Sequence, residues 1–581
     1  MNLAMMQSKI AKYCFAPFSK SDYVIALILA ILTLILCAGQ VNSGHHWGDD
    51  FAGYIVQGIA LAKGTSAQYI AENTFMWEKT DWVFGPKAYP WGFPLLLAPI
   101  YKIFGFNLVA FKSVGIICYA LFVGIFYIFC AKRLPKIYAI FGTLFFALNP
   151  FMIYFSANEI MSDIPFLLFG FCALIILARL FADSKISPSL AEWEQRANHT
   201  QKAPPLAGGV GVGYSNANGK IDCHDSLRES RNDGISVTGG GICPYLIAIF
   251  GGIFMLFSAM IRINGLVILC ALITMHGIIL AKRFAPQIFK ARILTPFAKV
   301  DSPYSWKIHA IPYVIFIIGF AIVSLTLSSG GSGHFSALAN ISPHIMLRNL
   351  SVYLQFFGTF FVVRQAEFAS IEGLYVLQSL EREAFVIFLL CVPLILVGIW
   401  ASLRDTKNFS ENLFYCIFMV GFLVVLFVWV GFGFRLAYIC LPFLVFWGAK
   451  GTMWLNNGTK KYLYGKVMSA ILLCVLVYFA FGGILQKDKI TRDGVYSTEA
   501  VQMWDFIDKN TPKNALIIFD KPRALYLYAH RVGFGTWNHK RLNEADFVLC
   551  YNEWDKCIGS ESERMKRIYM NHNFMLFKVI K

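Results

Sequence analysis

Charge is what this chain has least of. Only 15% of its 581 residues are Asp, Glu, Lys or Arg, against about 25% in an average soluble domain. Acids are the scarcer sign: 34 Asp and Glu face 51 Lys and Arg, leaving a net charge of +17. With 57% hydrophobic residues, where about 45–50% is usual, a water-soluble fold is excluded. Disorder, collagen and a coiled coil are excluded too, because 54 Phe, 26 Tyr and 13 Trp need packing partners or lipid. A disulfide framework is missing. The 14 Cys lie mostly inside apolar runs and read as small buried hydrophobes. Cys550 and Cys557 stand outside those runs and are able to pair. The first apolar run, Tyr23–Ala38, lacks a processing site: Cys37-Ala38-Gly39-Gln40 is a poor cleavage sequence, and Leu36 is too bulky for a lipobox. A dinucleotide fingerprint is absent as well, since Gly208-Gly-Val-Gly-Val-Gly213 has the wrong spacing and no flanking strand or helix.

What remains is a polytopic membrane protein. In a soluble chain the positive balance would point to nucleic acid; here it belongs to cytoplasmic loops, and no nucleic-acid partner is expected. Apolar runs fall at about 23–38, 109–130, 137–150, 164–181, 244–260, 265–281, 309–327, 384–402, 412–430, 436–453 and 467–484. Lys9, Lys12 and Lys20 precede the first, so the N-terminus is read as cytoplasmic. Threading about eleven spans from there puts every basic cluster on that side. These are Lys132, Arg133 and Lys136; Lys282 through Lys307; Arg404 and Lys407; and Lys460, Lys461 and Lys466. The odd count leaves the C-terminus outside, in a multi-pass topology.

The chain therefore divides into a membrane domain, 1–484, and a small extracytoplasmic domain, 485–581. Within the first, 41–108 is an outward loop, 183–243 an insertion without apolar period that reads as a disordered cytoplasmic linker, and 328–383 a long outward loop. The Pro-rich Tyr89–Pro99 segment is expected to lie at or dip into the interface. In the tail, Ser497–Lys509 has helical spacing, while 515–519, 547–551 and 575–580 look like buried strands, which predicts a small α/β domain. The expected fold class is an all-α membrane bundle with that α/β domain appended.

Candidate chemistry collects on the outward side. Asp49 and Asp50 follow the first span, and Glu159 and Asp163 stand at the mouth of the fourth. Four residues apart, the latter two share a face if their segment is helical. Carboxylates at a membrane boundary are costly without a task or a partner. The alternative is ordinary solvated loop acids. Outward cations near span ends are Lys87, Arg262, Arg348, Arg364 and Arg435, each equally placed to meet a phosphate or to snorkel to headgroups. His45 and His46 beside the acidic pair leave a divalent metal open; His334 and His344 are dispersed. Asn349-Leu-Ser351 is formally a glycosylation sequon.

One ordered set stands out: His46-Trp-Gly-Asp-Asp-Phe-Ala-Gly-Tyr54 with a helical stretch 55–63, then Tyr89–Pro99, then Asn149-Pro150 leading to Tyr154, Ser156, Glu159, Ser162 and Asp163. Over about 23–280 this resembles the GT-C glycosyltransferase superfamily, in its branch of dolichyl-phosphate-mannose protein mannosyltransferases and lipid A aminoarabinose transferases. The resemblance implies an inverting transferase that moves a sugar from a polyprenyl-phosphate donor to a lipid, glycan or protein hydroxyl on the outer face. It implies Asp49 as general base, with Asp50 and Asp163 beside it, and Tyr54, Glu159 and His46 in support. Arg262, Arg435 and Lys87 are then the candidate donor-phosphate contacts. No cofactor is required, and the site is not expected to need a metal. The sequence departs from the family where Asp50 stands for a frequent Glu, and in the 183–243 insertion. No WWD-type motif follows the last span, which argues against a whole-glycan transfer to Asn. The competing reading is a lipid-linked-sugar flippase without transferase activity, which predicts internal repeats that the sequence does not show.

Overall fold

The computed structural model describes residues 19–82, 85–182, 244–290, 297, 299–327, 342–360, 376–428, 434–457, 494–536, 541–551 and 563–581. The 183–243 insertion, Arg364, His334, Cys557 and the run at 467–484 lie outside the described residues.

Helix α1 (Lys20–Gln40) opens the bundle, its start closed by a capping box between Ser19 and Asp22. Two loop helices follow, α2 (Asp50–Lys63) and α3 (Ser66–Lys79), joined at Gly64, whose φ of +75° suits glycine. Helix α4 (Gly92–Phe104) is the Pro-rich segment. It packs on α2 through buried Phe93 and Leu97 and leaves Leu95, Ile103 and Phe104 exposed, an apolar outer face suited to lipid. The membrane helices continue as α5 (Leu108–Ala131), α6 (Lys136–Ala147), α7 (Pro150–Asn158), α8 (Asp163–Leu177), α9 (Pro244–Ile261), α10 (Leu266–Phe284), α11 (Trp306–Thr326), α12 (Pro343–Phe360), α13 (Val376–Arg404), α14 (Phe409–Val428) and α15 (Leu441–Asn457).

Among the described residues, 8 helices are long and apolar enough to cross a membrane, and α6 with α7 forms a further pair bent by 49°. Asn149-Pro150 causes the bend: Asn149 caps α7 through the amide of Met152, and proline occupies the first helical turn. Residues Leu389–Arg404 of α13 add a shorter apolar stretch. These are the positions of ten of the sequence-derived runs. The protein is a multi-pass membrane protein. Its centre is aromatic: Phe122, Phe126, Phe129, Phe146 and Phe171 from α5, α6 and α8 meet in edge-to-face and stacked pairs.

One sequence expectation changes. Glu159 and Asp163 do not share a helix face: Glu159 ends α7 in extended conformation, and Asp163 begins α8. The polar Ser-Ala-Asn stretch stops one helix before the other starts. The sequon asparagine is closed to modification. Asn349 is fully buried and donates its side-chain amide to the carbonyl of Phe427 at 3.0 Å.

The tail is a small α/β unit. Helix α16 (Thr498–Asn510) is capped by Ser497, and α17 (Pro522–Ala529) starts on proline at its first turn. Strands β1 (Leu516–Ile518), β2 (Val532–Phe534), β3 (Phe547–Tyr551), β4 (Met565–Met570) and β5 (Phe574–Val579) form a five-stranded sheet in the order β2-β1-β3-β5-β4. Strand β1 runs parallel to β2 and β3, and β5 runs antiparallel to β3 and β4. Met503, Trp504 and Ile507 of α16 bury against one sheet face. Cys550 in β3 is disulfide-bonded. Among the described cysteines, the eight others are free.

Candidate active site

The first loop is held by a lysine from inside the bundle. Lys112 of α5 is fully buried, and its ammonium donates to the carbonyl of Asn42 at 2.9 Å, to Asn42 Oδ1 at 2.7 Å and to the carbonyl of Gly44. A buried ammonium persists only when its protons are so occupied. It fixes the backbone just ahead of His45, His46 and the acidic pair.

Helix α2 then starts between the two carboxylates, with Asp49 at the N-cap position and Asp50 the first helical residue. Their side chains meet different bodies. Asp49 Oδ1 accepts the backbone amides of Arg523 and Ala524, at 3.2 and 3.3 Å, in the first turn of α17. Asp49 Oδ2 is buried and has no hydrogen-bond partner. Burial pushes the Asp49 carboxyl up to about 7, against the pull of Arg523 and Lys521. Asp50 turns to the membrane domain. Its Oδ1 accepts from Tyr89 Oη at 2.5 Å, and its Oδ2 pairs with the Arg435 guanidinium. Burial works to raise the Asp50 carboxyl, but Arg435 and Tyr89 outweigh it and hold it below the usual range.

The second acidic residue mirrors this. Asp163, at the start of α8, pairs through Oδ1 with Arg262, which enters from the break between α9 and α10. Asp163 Oδ2 is buried without a hydrogen-bond partner. Ser162 Oγ links the two halves, accepting from Arg262 at 3.4 Å and lying 2.8 Å from Tyr54 Oη. Arg435 also interacts electrostatically with Asp163 and Tyr54. Asp50, Asp163, Arg262, Arg435 and Tyr54, scattered over nearly 400 positions, thus form one cluster. Tyr54 stays neutral there, burial raising its hydroxyl to about 12. Its ring packs on Tyr89 at 4.1 Å and Phe93 at 5.0 Å.

A neighbouring group orders the loop. His46 Nε2 lies 2.7 Å from Tyr154 Oη and 3.5 Å from Glu159. His45 Nε2 accepts the Ile160 amide at 3.2 Å, so its proton sits on Nδ1, facing the His46 carbonyl. Burial outweighs the opposing pull of Glu159 and drops His45 to about 4, which keeps it neutral. With Nε2 occupied, His45 has no lone pair for a cation. Among the described residues, no group of three or more His, Cys, Asp or Glu is placed to hold a metal ion.

Lys87 does not join the cluster. Its ammonium pairs with Glu78 at 2.7 Å and lies over the Trp77 ring. Arg348 contacts its neighbour Asn349 on α12. Two residues without any local signal, Gln57 and Arg523, complete the site. Gln57 brackets the Tyr89 backbone, donating to its carbonyl at 2.7 Å and accepting from its amide at 3.1 Å. Arg523 arrives from the tail. Proline before it marks a helix start, but nothing local links position 523 to position 49.

The fold has counterparts among solved membrane-protein structures. The chain superimposes on ArnT from Cupriavidus metallidurans in the apo state with a TM-score of 0.50 and 10% identity, over 95% of this chain and 97% of that one. It superimposes equally on the Archaeoglobus fulgidus oligosaccharyltransferase tethered with an acceptor peptide containing the NVT sequon, with a TM-score of 0.50 and 11% identity, over 93% of this chain and 70% of that one. By sequence it matches no family model and no curated protein.

Proposed function

We propose that the protein is an inverting glycosyltransferase that moves a sugar from a polyprenyl-phosphate donor to a hydroxyl on a lipid, glycan or protein acceptor. One observation carries the reading: two carboxylate–arginine couples, Asp50 with Arg435 and Asp163 with Arg262, meet around Tyr54 at one end of a GT-C bundle. The acceptor oxygen bonds to the anomeric carbon as the bond from that carbon to the donor phosphate oxygen breaks. The acceptor proton passes to a carboxylate, and the phosphate leaves with its charge. Asp49 is the proposed base, because a carboxyl poised near neutrality with an unsatisfied oxygen suits proton abstraction. Arg262 and Arg435 are the proposed phosphate contacts. A guanidinium has five N–H donors, so pairing with one carboxylate leaves others for phosphate. No metal enters the step, since the arginines supply the cations.

The active face and the tail are read as extracytoplasmic in a bacterial inner membrane. Supporting this are the basic clusters at the opposite ends of the spans and the disulfide at Cys550, a bond that persists in oxidising compartments.

A specific observation favours Asp50 as the alternative base: its side chain is 27% exposed, whereas Asp49 is 8% exposed. The test is a purified protein in proteoliposomes, given polyprenyl-phosphate hexoses and a membrane acceptor extract. Release of polyprenyl phosphate, followed by mass spectrometry, is expected for the wild type and is lost in an Asp50→Asn/Asp163→Asn double variant. Donor that crosses the bilayer uncleaved would establish the flippase reading instead.

A further inference from the structure

Arg523 is 1% exposed, one of the largest side chains fully buried in the protein. Its charge lies outside its own domain's core. Nε donates to Asn73 Oδ1 at 2.9 Å, Nη1 to Tyr89 Oη at 2.7 Å and Nη2 to the Pro86 carbonyl, all in the first loop. The guanidinium also lies 4.9 Å from the centroid of the Tyr89 ring. The same residue's backbone amide reaches Asp49. Tyr89 in turn donates to Asp50. One residue of the tail therefore touches the first carboxylate directly and the second through a single tyrosine.

The loop is shaped to admit this side chain. Gly85 has a φ of +119°, and a Cβ there would stand 2.8 Å from Tyr89 Oη and 2.9 Å from Arg523 Nη1. A Cβ on Gly53 would stand 2.6 Å from the Tyr89 ring and 3.0 Å from Arg523 Cδ. Both positions leave room for the Arg523–Tyr89 pair. Around it the loop and tail are joined by further contacts: Tyr526 with Glu72, Thr536 with Asp81 at 2.7 Å, and Trp47 set among Trp504, Phe519, Tyr551 and Phe574.

We propose that Arg523 is a positioning residue of the active site, through which the C-terminal domain fixes the orientation of Asp50 by way of the Tyr89 hydroxyl and the seat of Asp49 by way of its own amide. The tail is then a working part of the site. Tyr89 fills the relay as a neutral donor, because burial raises its hydroxyl well above 10. The cation also acts on both carboxylates. The other charged or titratable groups facing Asp49 are Lys521, Asp50 and Tyr69, and those facing Asp50 are Arg435, Tyr89 and Tyr54.

The inference rests on the transferase reading, and full-length Arg523→Lys, Arg523→Ala and Tyr89→Phe proteins test it in the donor-cleavage assay. Tyr89→Phe keeps the ring and loses the relay. It is expected to lower kcat by about 10- to 100-fold, the scale of one hydrogen bond to a charged group, with donor KM nearly unchanged. Arg523→Lys keeps the charge without the planar fork and should do the same. Arg523→Ala should in addition move the acid limb of the pH–rate profile to higher pH, a shift that Arg523→Lys lacks. A merely structural arginine would reduce the amount of folded enzyme and leave the kcat and pH profile of the folded fraction alone. That result overturns the proposal, and so does a wild-type kcat in folded Tyr89→Phe. A wild type that cleaves no donor removes the transferase reading and the proposal with it, whereas an active wild type with insensitive variants removes the proposal only.

Discussion

Asp49→Asn separates a catalytic carboxylate from a docking one, because the two roles predict opposite signs for stability. The amide keeps Oδ1 as the acceptor for the amides of Arg523 and Ala524 and changes only the unpartnered, buried oxygen. The folded Asp49 carboxyl is raised from 3.8 to about 7. A raised carboxyl lends stability that is full below the unfolded value and is lost as pH rises through the folded one. Wild type should therefore lose stability between about pH 4 and pH 7 relative to the variant, with the gap constant above pH 7. A rise of that size is worth roughly 4 kcal/mol as an upper bound. Asp49→Asn should melt at a higher temperature than wild type at pH 8 and at the same temperature near pH 4, read by tryptophan fluorescence in detergent. Its turnover should fall by about 10²- to 10⁴-fold, the usual contribution of a general base, with donor binding nearly intact. Wild-type turnover should itself rise with pH through about 7, as Asp49 ionises. A variant that melts lower at pH 8 while transferring sugar at the wild-type rate refutes the reasoning. Asp49 would then be a helix anchor, and Asp50 the base.

Arg262→Ala and Arg435→Ala should each raise the donor KM by about 10- to 100-fold, the scale of a charge-assisted hydrogen bond, measured by donor titration in the same assay. Lys87→Ala should change donor KM by less than about 3-fold, because the lysine is spent on an exposed pair with Glu78; a loss matching that of Arg262→Ala would return Lys87 to the phosphate site. A reporter active only outside the cytoplasm should be active when fused after residue 484 and silent near residue 215, and the reverse pattern would place the acidic cluster on the wrong face. Replacing about 190–235 by a short Gly-Ser bridge should leave transfer mostly intact, with loss of activity in a normally inserted protein revealing a docking role.

The membrane part was legible because its signals are local. A span announces itself by a run of apolar residues, and Asn149-Pro150 marks its own bend. The tail's helix Thr498–Asn510 and strands Phe547–Tyr551 and Phe574–Val579 follow the spacing of their buried residues. Strands Val532–Phe534 and Met565–Met570 escaped notice: the first is 3 residues long, and the second is a mostly exposed edge strand with Lys566 and Arg567. The site was half legible. Its carboxylates, Tyr54, Arg262 and Arg435 stand out one by one in the sequence, but their pairing depends on contacts across hundreds of positions. Arg435 chooses Asp50, Arg262 chooses Asp163, and Lys87 turns away to a nearer acid. Spacing suggested that Glu159 and Asp163 act as a pair, yet a four-residue break between helices, 159–162, sends one to the histidines and the other to Arg262. Arg523 was invisible, since only the folded loop explains why a buried cation belongs at that position.

The seating of Trp47 in the tail's aromatic cluster also sets an order of events during synthesis. A ribosome makes position 47 long before Phe519, Tyr551 and Phe574 exist. Until those last strands emerge, the membrane helices are already in place while the indole has no aromatic socket and Asp49 no helix end to meet. The site is therefore finished by the final hundred residues, after the bundle that carries it. A chain stopped early would present an acidic loop held by Lys112 and the histidine group but lacking the tail's contacts to Asp49 and Tyr89. Supplying the missing tail as a separate polypeptide is then a route to complete the site.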